Sequence, residues 1–289
     1  MRVLRRLGAD RLSWSLRRLQ CPVSRQALVL EVGSGGNPYP RANVLLDAYE
    51  ERRERHWAPL VVNRPFVFGH VESLPFRTGA FDFLIASHVL EHCRDPKRTL
   101  AEFERVARAG YIETPDAFME RLNPYHDHRL EVTVRDGELL MRKKATWVLD
   151  VELVELYENS AKTVVTKELI PRRPFGFMSR YYWEGRIRYR VVNPQSDIQW
   201  APPPGGLDQT GEAAACMVFR GRVIKWLRML LSQRTRNRKI DVIPLLCCPE
   251  CQADRELERS ADSLRCSACE STYPMRNGIP VMYRQLDKR

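Results

Sequence analysis

Two groups of residues in this sequence have the types and spacing to do chemistry. Towards the C-terminus, Cys248-Pro249-Glu250-Cys251 and Cys266-Ser267-Ala268-Cys269 form two Cys-x-x-Cys knuckles separated by fourteen residues. Four thiolates paired in this way can surround one zinc ion tetrahedrally, so Cys248, Cys251, Cys266 and Cys269 are expected to ligate zinc in a small ribbon, with Cys247 left outside as a spare thiol. A segment of about 40 residues builds too little apolar core to fold alone, so metal binding there would contribute folding free energy directly. In the first fifth of the chain, the apolar run Leu28-Val29-Leu30-Glu31-Val32 ends in Gly33-Ser34-Gly35-Gly36-Asn37. Glycine lets a backbone approach a ligand where a Cβ would collide. A dinucleotide fingerprint carries Gly or Ala three residues after its second glycine; here that position is Pro38, which makes a nicotinamide dinucleotide the less favoured ligand. Asp47 closes the next apolar run and offers a carboxylate that can accept both hydroxyls of a ribose.

These residues need a scaffold, and the surrounding pattern supplies one. Short apolar runs bounded by turns, Ala27–Val32, Asn43–Asp47, Pro65–Gly69, Phe81–Ser87 and Tyr111–Glu113, read as buried strands of a mainly parallel sheet. Asp95 as N-cap, Pro96 at the first helical position and the stripe Leu100, Phe103, Val106 predict a helix before the last of them. Only residues 33–42 separate the first two strands, and they include Pro38 and Pro40, so the helix expected there is short or lost. Alternation over 130–142 around Asp136-Gly137 predicts a hairpin, and a second β-rich stretch, Tyr181–Val192, has Glu184-Gly185 at its turn. The fold class is therefore α/β, Rossmann-like, with antiparallel additions and a C-terminal zinc ribbon. Expected units are a basic N-terminal helical segment at 1–25, a main domain at 26–193, a linker with a basic amphipathic helix (213–231) at 194–240, and the ribbon at 241–289.

Glu31, Gly33 and Gly35, Asp47, the segment Val67-Phe68-Gly69-His70-Val71-Glu72-Ser73-Leu74-Pro75-Phe76 and the loop Ser87-His88-Val89-Leu90-Glu91-His92 together resemble the class I S-adenosylmethionine-dependent methyltransferase family over about residues 27–115. The resemblance implies S-adenosylmethionine as cofactor. It further implies that Glu31, Gly33 and Gly35 surround its methionine part, that Asp47 binds the ribose, that His70 and Val71 border the adenine, and that Ser87 and His88 sit beside the sulfonium. Many relatives carry Asp where His70 stands, and Glu72 is the alternative contact. Methyl transfer requires chiefly an in-line approach of the acceptor, with a base only where the acceptor loses a proton. Glu113 and His126, with His88 third, are the acceptor-side candidates. His126 and His128, two apart on an expected loop, lack the spacing of a metal site. Around the cysteines, Leu245-Leu246 and Tyr273-Pro274-Met275-Arg276-Asn277-Gly278-Ile279-Pro280-Val281-Met282 resemble the zinc-ribbon family that activates tRNA and translation-factor methyltransferases as a separate subunit. That resemblance implies a stabilising or substrate-presenting role.

The sequence carries a formal charge of +11 on 289 residues, unevenly spread. Residues 1–25 hold seven Arg and one Asp, and residues 220–239 hold eight Lys or Arg and no acid, leaving the remainder slightly acidic. The basic flanks suit RNA or another acidic partner, or simply solvated helix faces. The alternative function is accordingly a catalytically inactive adaptor or RNA-binding protein on the same fold. No run approaches the ~20 apolar residues of a transmembrane helix, and Gly8, Asp10 and Arg11 interrupt any signal-peptide core. Five of eight cysteines fall within the last 43 residues, a metal-binding rather than a disulfide pattern, which points to a reducing, cytoplasmic setting. The sequence leaves the oligomeric state and the methyl acceptor open.

Overall fold

The structure, a computed structural model, describes residues 7–49, 59–147, 150–200, 232–253, 255 and 257–283. Val29–Val32 (β1), Val44–Asp47 (β2), Phe66–Phe68 (β3) and Phe83–Ser87 (β4) are buried at every position, as strands covered on both faces must be. Ala109–Pro115 (β5) follows, then the hairpin Leu130–Arg135 (β6) and Glu138–Lys143 (β7), then Met178–Glu184 (β8) and Tyr189–Val191 (β9). The main sheet runs β3-β2-β1-β4-β5-β8, parallel throughout except for β8, which pairs antiparallel with β5.

No helix joins β1 to β2; residues 33–42 cross in turns. Side chains replace the missing helical bonds: Glu31 Oε2 accepts from Tyr39 N at 2.7 Å, and Asn43 Oδ1 accepts from Val29 N at 2.9 Å. Asp10–Ser15 (α1) and a single 3-10 turn, Arg17–Leu19, form the N-terminal segment. The expected helix before β5 is Pro96–Val106 (α2), with the Asp95 side chain accepting from Arg98 N. Its buried Leu100, Phe103 and Val106 join Leu30, Leu84, Phe76 and Phe81 in one core, where each such side chain contributes about 1.5–3 kcal/mol. Ala117–Leu122 (α3) and a longer helical run from Val151–Leu156 (α4) to Ile170–Arg172, interrupted by π-turns at Tyr157–Ala161 and Val165–Leu169, separate β5 from β8. No helix among the described residues is long and apolar enough to cross a membrane.

The Asp136-Gly137 hairpin forms as the pattern indicates, with both residues at positive φ. The Tyr181–Val192 stretch does not form one. Gly185 turns the chain, but β8 pairs with β5 while β9 leaves the main sheet and pairs parallel with β7. The cause is side-chain volume: Trp183 of β8 lies over Gly110 of β5, where a Cβ would stand 2.6 Å from Trp183 Nε1. That fit holds β8 on the main sheet, and Arg186 and Ile187 redirect the chain beyond it.

Of the basic flanks, the expected helix 213–231 lies outside the described residues. Arg234–Asn237 (α5) belongs to the basic tether and is pinned to the body. Arg236 donates to the carbonyls of Arg25, Gln26 and Ala27, and Asn43 Nδ2 donates to Asn237 Oδ1 at 2.7 Å.

The C-terminal ribbon consists of Leu257–Arg259 (β10), Ser263–Cys266 (β11), Thr272–Arg276 (β12) and Ile279–Pro280 (β13), all antiparallel. It is not a separate bead. Leu246, Cys248, Leu264, Tyr273 and Met282 belong to the same apolar cluster as the main-domain core. Val281 bridges Phe68 in parallel, Met282 N donates to Phe68 O at 2.8 Å, and Leu246 bridges Phe76. The ribbon thus covers β3, which would otherwise be an unpaired sheet edge.

Candidate functional site

In an open α/β sheet the ligand crevice lies beyond the carboxyl ends of the strands, where strand order reverses. Here β1 is that strand, with β2 on one side and β4 on the other. A cleft of about 1150 Å³ opens there. Glu31, Gly33, Gly35, Asp47, His70, Val71, Ser87 and His88, the eight positions expected to hold the cofactor, all line it.

The glycine turn is built for close approach. Gly33 has φ +63°, and a Cβ on it would meet Val89 Cγ2 at 2.3 Å. Gly33→Ala therefore combines backbone strain with a clash inside the cleft. It is expected to destabilise the protein by about 1–3 kcal/mol and to weaken cofactor binding, measured by thermal melting and calorimetry; a variant equal to the wild type in both would remove the glycine from the site. Asp47 is buried and holds the turn from the next strand, its Oδ2 accepting from Gly35 N at 2.8 Å and its Oδ1 from Tyr49 N at 3.1 Å.

At the end of β4, His88 adopts φ +59°, uncommon for a residue other than glycine. Its amide donates to the carbonyl of Glu113 at 2.8 Å, which fixes this conformation. The Glu113 side chain is fully buried and points away from solvent into its own network: Tyr111 Oη donates to it, Arg180 Nε donates at 2.9 Å, and Arg17 Nε lies 4.0 Å away. Burial pushes its carboxyl up, but Arg180, the Tyr111 hydroxyl and Arg17 together hold it below the usual carboxylate range. Of the three acceptor-side candidates, His88 lines the cleft; Glu113 and His126, the latter half-buried, do not.

Several lining residues were not singled out from the sequence. Arg18 comes from the N-terminal segment, Tyr49, His92, Asp127 and Arg129 from the main domain, and Pro274, Arg276, Val281 and Tyr283 from the ribbon. The Tyr283 ring sits 5.2 Å from the His70 ring, and its hydroxyl donates to Ala48 O at 2.7 Å. No local signal marks these residues, because chain segments far apart in sequence bring them together. Arg18 also donates to Asn37 O and lies 4.8 Å above the Tyr39 ring, so the N-terminal segment closes one wall.

In the ribbon, one ligand atom from each of Cys248, Cys251, Cys266 and Cys269 lies within 4.8 Å of the others. Cys248 Sγ is 3.5 Å from Cys269 Sγ, and Cys251 Sγ is 3.7 Å from Cys266 Sγ. A tetrahedron of Zn–S bonds near 2.3 Å has edges of about 3.8 Å, so the thiols fit zinc. Cys247 stands apart, donating to Phe76 O at 3.0 Å.

Residues 30–112 match the family model for a methyltransferase domain. A UPF0434 protein of Cupriavidus taiwanensis is 44% identical over 41 residues, 14% of this chain and 61% of that protein; another, from Burkholderia multivorans, is 42% identical over 41 residues, 14% of this chain and 64% of its own. This chain thus spans about three-fifths of the length of the curated relatives it matches. Among solved structures, a chain of the complex between the Haloferax volcanii Trm112 methyltransferase activator and the putative methyltransferase is similar at TM-score 0.38 with 16% identity, covering 64% of this chain and 93% of that one. A Thermotoga maritima SAM-dependent methyltransferase is similar at TM-score 0.28 with 21% identity, covering 40% and 57%. Residues 30–112 thus match a methyltransferase-domain family, and the C-terminal four-cysteine ribbon in the same chain is similar to the UPF0434 proteins.

Proposed function

We propose that the chain transfers the methyl group of S-adenosylmethionine to an acceptor presented at the His88 side of the cleft, and that the ribbon completes the adenosine side. The observation that carries this reading is the convergence of Glu31, the Gly33–Gly35 turn, Asp47 and the Ser87-His88 loop on one cleft at the β1 switch point. The cofactor supplies an electrophilic methyl on a sulfonium. The chain supplies a carboxylate at the methionine end, Glu31, one at the ribose, Asp47, and an apolar and aromatic wall for the adenine from Val71, His70 and Tyr283. His88 is the acceptor-side residue in this reading. Glu113 contributes its backbone carbonyl, which accepts from the His88 amide, while its side chain stays in the buried network with Tyr111 and Arg180, and His126 has no assigned role. The working environment is a reducing, cytoplasmic one, in keeping with the free cysteines.

Arg17, Arg18 and Arg236 of the basic flanks are tied to the body of the protein, which takes these three from any RNA-binding surface. The first test is calorimetric titration of zinc-replete protein with S-adenosylmethionine and S-adenosylhomocysteine. Saturable binding supports the reading, and no binding by folded protein removes it. Tyr283→Ala tests the role of the ribbon. Losing an aromatic wall worth about 1–2 kcal/mol is expected to weaken S-adenosylhomocysteine binding roughly 5- to 30-fold with zinc retained. An unchanged affinity would mean that the ribbon takes no part in cofactor binding.

A further inference from the structure

Beside the cleft, Glu91, His92 and His128 bring one ligand atom each within 4.8 Å of one another. Glu91 and His92 lie in the turn Leu90–His92 after β4, and His128 precedes β6; Arg129 N donates to Glu91 O at 2.7 Å and ties the two segments together. Glu91 is 1% exposed, and neither of its carboxylate oxygens has a hydrogen-bond partner. His88 Nδ1 stands 3.3 Å from Oε1 as an ion-pair contact without hydrogen-bond geometry. A buried carboxylate whose one near donor, His88 Nδ1, is poorly aligned is costly, and a metal ion is a further partner that would satisfy its oxygens.

The two imidazoles are already oriented. His92 Nδ1 lies 3.2 Å from Asp127 Oδ2, and His128 Nδ1 is bonded to Glu120, which Lys144 Nζ holds in turn at 2.7 Å. A carboxylate on Nδ1 fixes each ring's orientation, the outer arrangement that orients metal-ligating histidines. Two imidazoles and one carboxylate with further positions open suit a divalent transition ion. Of the three, His92 lines the cleft, beside His88 and Asp127, while Glu91 and His128 are buried behind it.

We propose that Glu91, His92 and His128 form a second divalent-metal site, distinct from the ribbon zinc, and that it holds a hydroxyl oxygen of the methyl acceptor beside the donor. The acceptor clause rests on the methyl-transfer reading above. An acceptor hydroxyl bound there loses its proton to solvent. Its oxygen then forms the new C–O bond as the C–S bond breaks, with that electron pair staying on sulfur, so the sulfonium becomes a neutral thioether.

The test uses the full chain with its ribbon zinc in place and Mn²⁺ alone as probe, followed by equilibrium dialysis and electron paramagnetic resonance, with total metal measured by plasma emission. One Mn²⁺ per chain in addition to zinc is expected. Glu91→Gln and His128→Gln, neither of which lines the cleft, are each expected to weaken Mn²⁺ binding at least about tenfold while zinc content stays the same. Circular dichroism melts identify any variant that fails to fold, and the near-isosteric Glu91→Gln keeps the test decisive. A wild type that holds only the ribbon zinc, or variants that bind Mn²⁺ as the wild type does, would overturn the site. S-adenosylhomocysteine binding is measured in parallel. If it is present without Mn²⁺ binding, the metal site alone fails; if it is absent while Mn²⁺ binds, the acceptor clause and the transfer reading fail and the site stands.

Discussion

Asp47→Ala is expected to lower the affinity for S-adenosylhomocysteine by at least about 100-fold. The carboxylate serves two purposes, since its oxygens accept from Gly35 N and Tyr49 N while the residue lines the cleft at the end of β2. Alanine removes the acceptor for a bound ribose and releases the glycine turn at once. Two charge-assisted hydrogen bonds at about 1.5–3 kcal/mol each account for a loss of this size. Asp47→Asn keeps the volume and one acceptor oxygen, so a smaller loss, about tenfold, is expected. Calorimetry on zinc-replete protein separates the outcomes. An alanine variant within threefold of the wild type would show that the ribose is held elsewhere, and a wild type that binds neither cofactor form would favour the adaptor reading.

Stripping zinc has the other large effect. Structural zinc supplies about 10–16 kcal/mol of apparent binding free energy at neutral pH, as much as the whole stability of a typical domain, about 5–15 kcal/mol. The ribbon's own apolar residues, chiefly Leu257, Leu264 and Tyr273, are too few to replace it. Chelation is therefore expected to unfold the ribbon, to detach Leu246 and Met282 from the shared core, and to lower the melting temperature by roughly 10 °C or more. Cofactor affinity should fall at least as far as in Tyr283→Ala, because that whole wall leaves. Cys266→Ser should reproduce the loss in the presence of zinc, whereas Cys247→Ser, which lies outside the four-thiol cluster and keeps a donor for Phe76 O, should shift the melt by a few degrees at most. A melt indifferent to chelator would mean that the thiols hold no structural metal.

The parallel sheet and the donor cleft were legible because the signals are local. Val29–Val32 and Phe83–Ser87 are apolar at nearly every position, Asp95-Pro96 starts a helix by its own chemistry, and the two knuckles are short-range motifs. The brevity of the β1–β2 crossing was legible too, since ten residues with two prolines leave no room for a helix. What could not be read depended on partners distant in sequence. The Tyr181–Val192 stretch looks like a hairpin until Trp183 finds the bare face of Gly110. His126 and His128 look badly spaced for a metal until the backbone bond from Arg129 to Glu91 sets His128 beside His92. Tyr283 bears on the cleft only because the ribbon lies along β3.

The pairing of β3 with the 281–282 segment also orders events in time. Phe68 leaves the ribosome about 200 residues before the segment that covers it, and at about 5–20 residues per second the interval is roughly 10–40 s. Throughout that interval the nascent methyltransferase domain shows an apolar strand edge to the cell, the kind of surface that chaperones hold and that aggregation recruits. Synonymous changes that slow translation of the intervening stretch should therefore lower soluble yield without altering one residue of the finished protein.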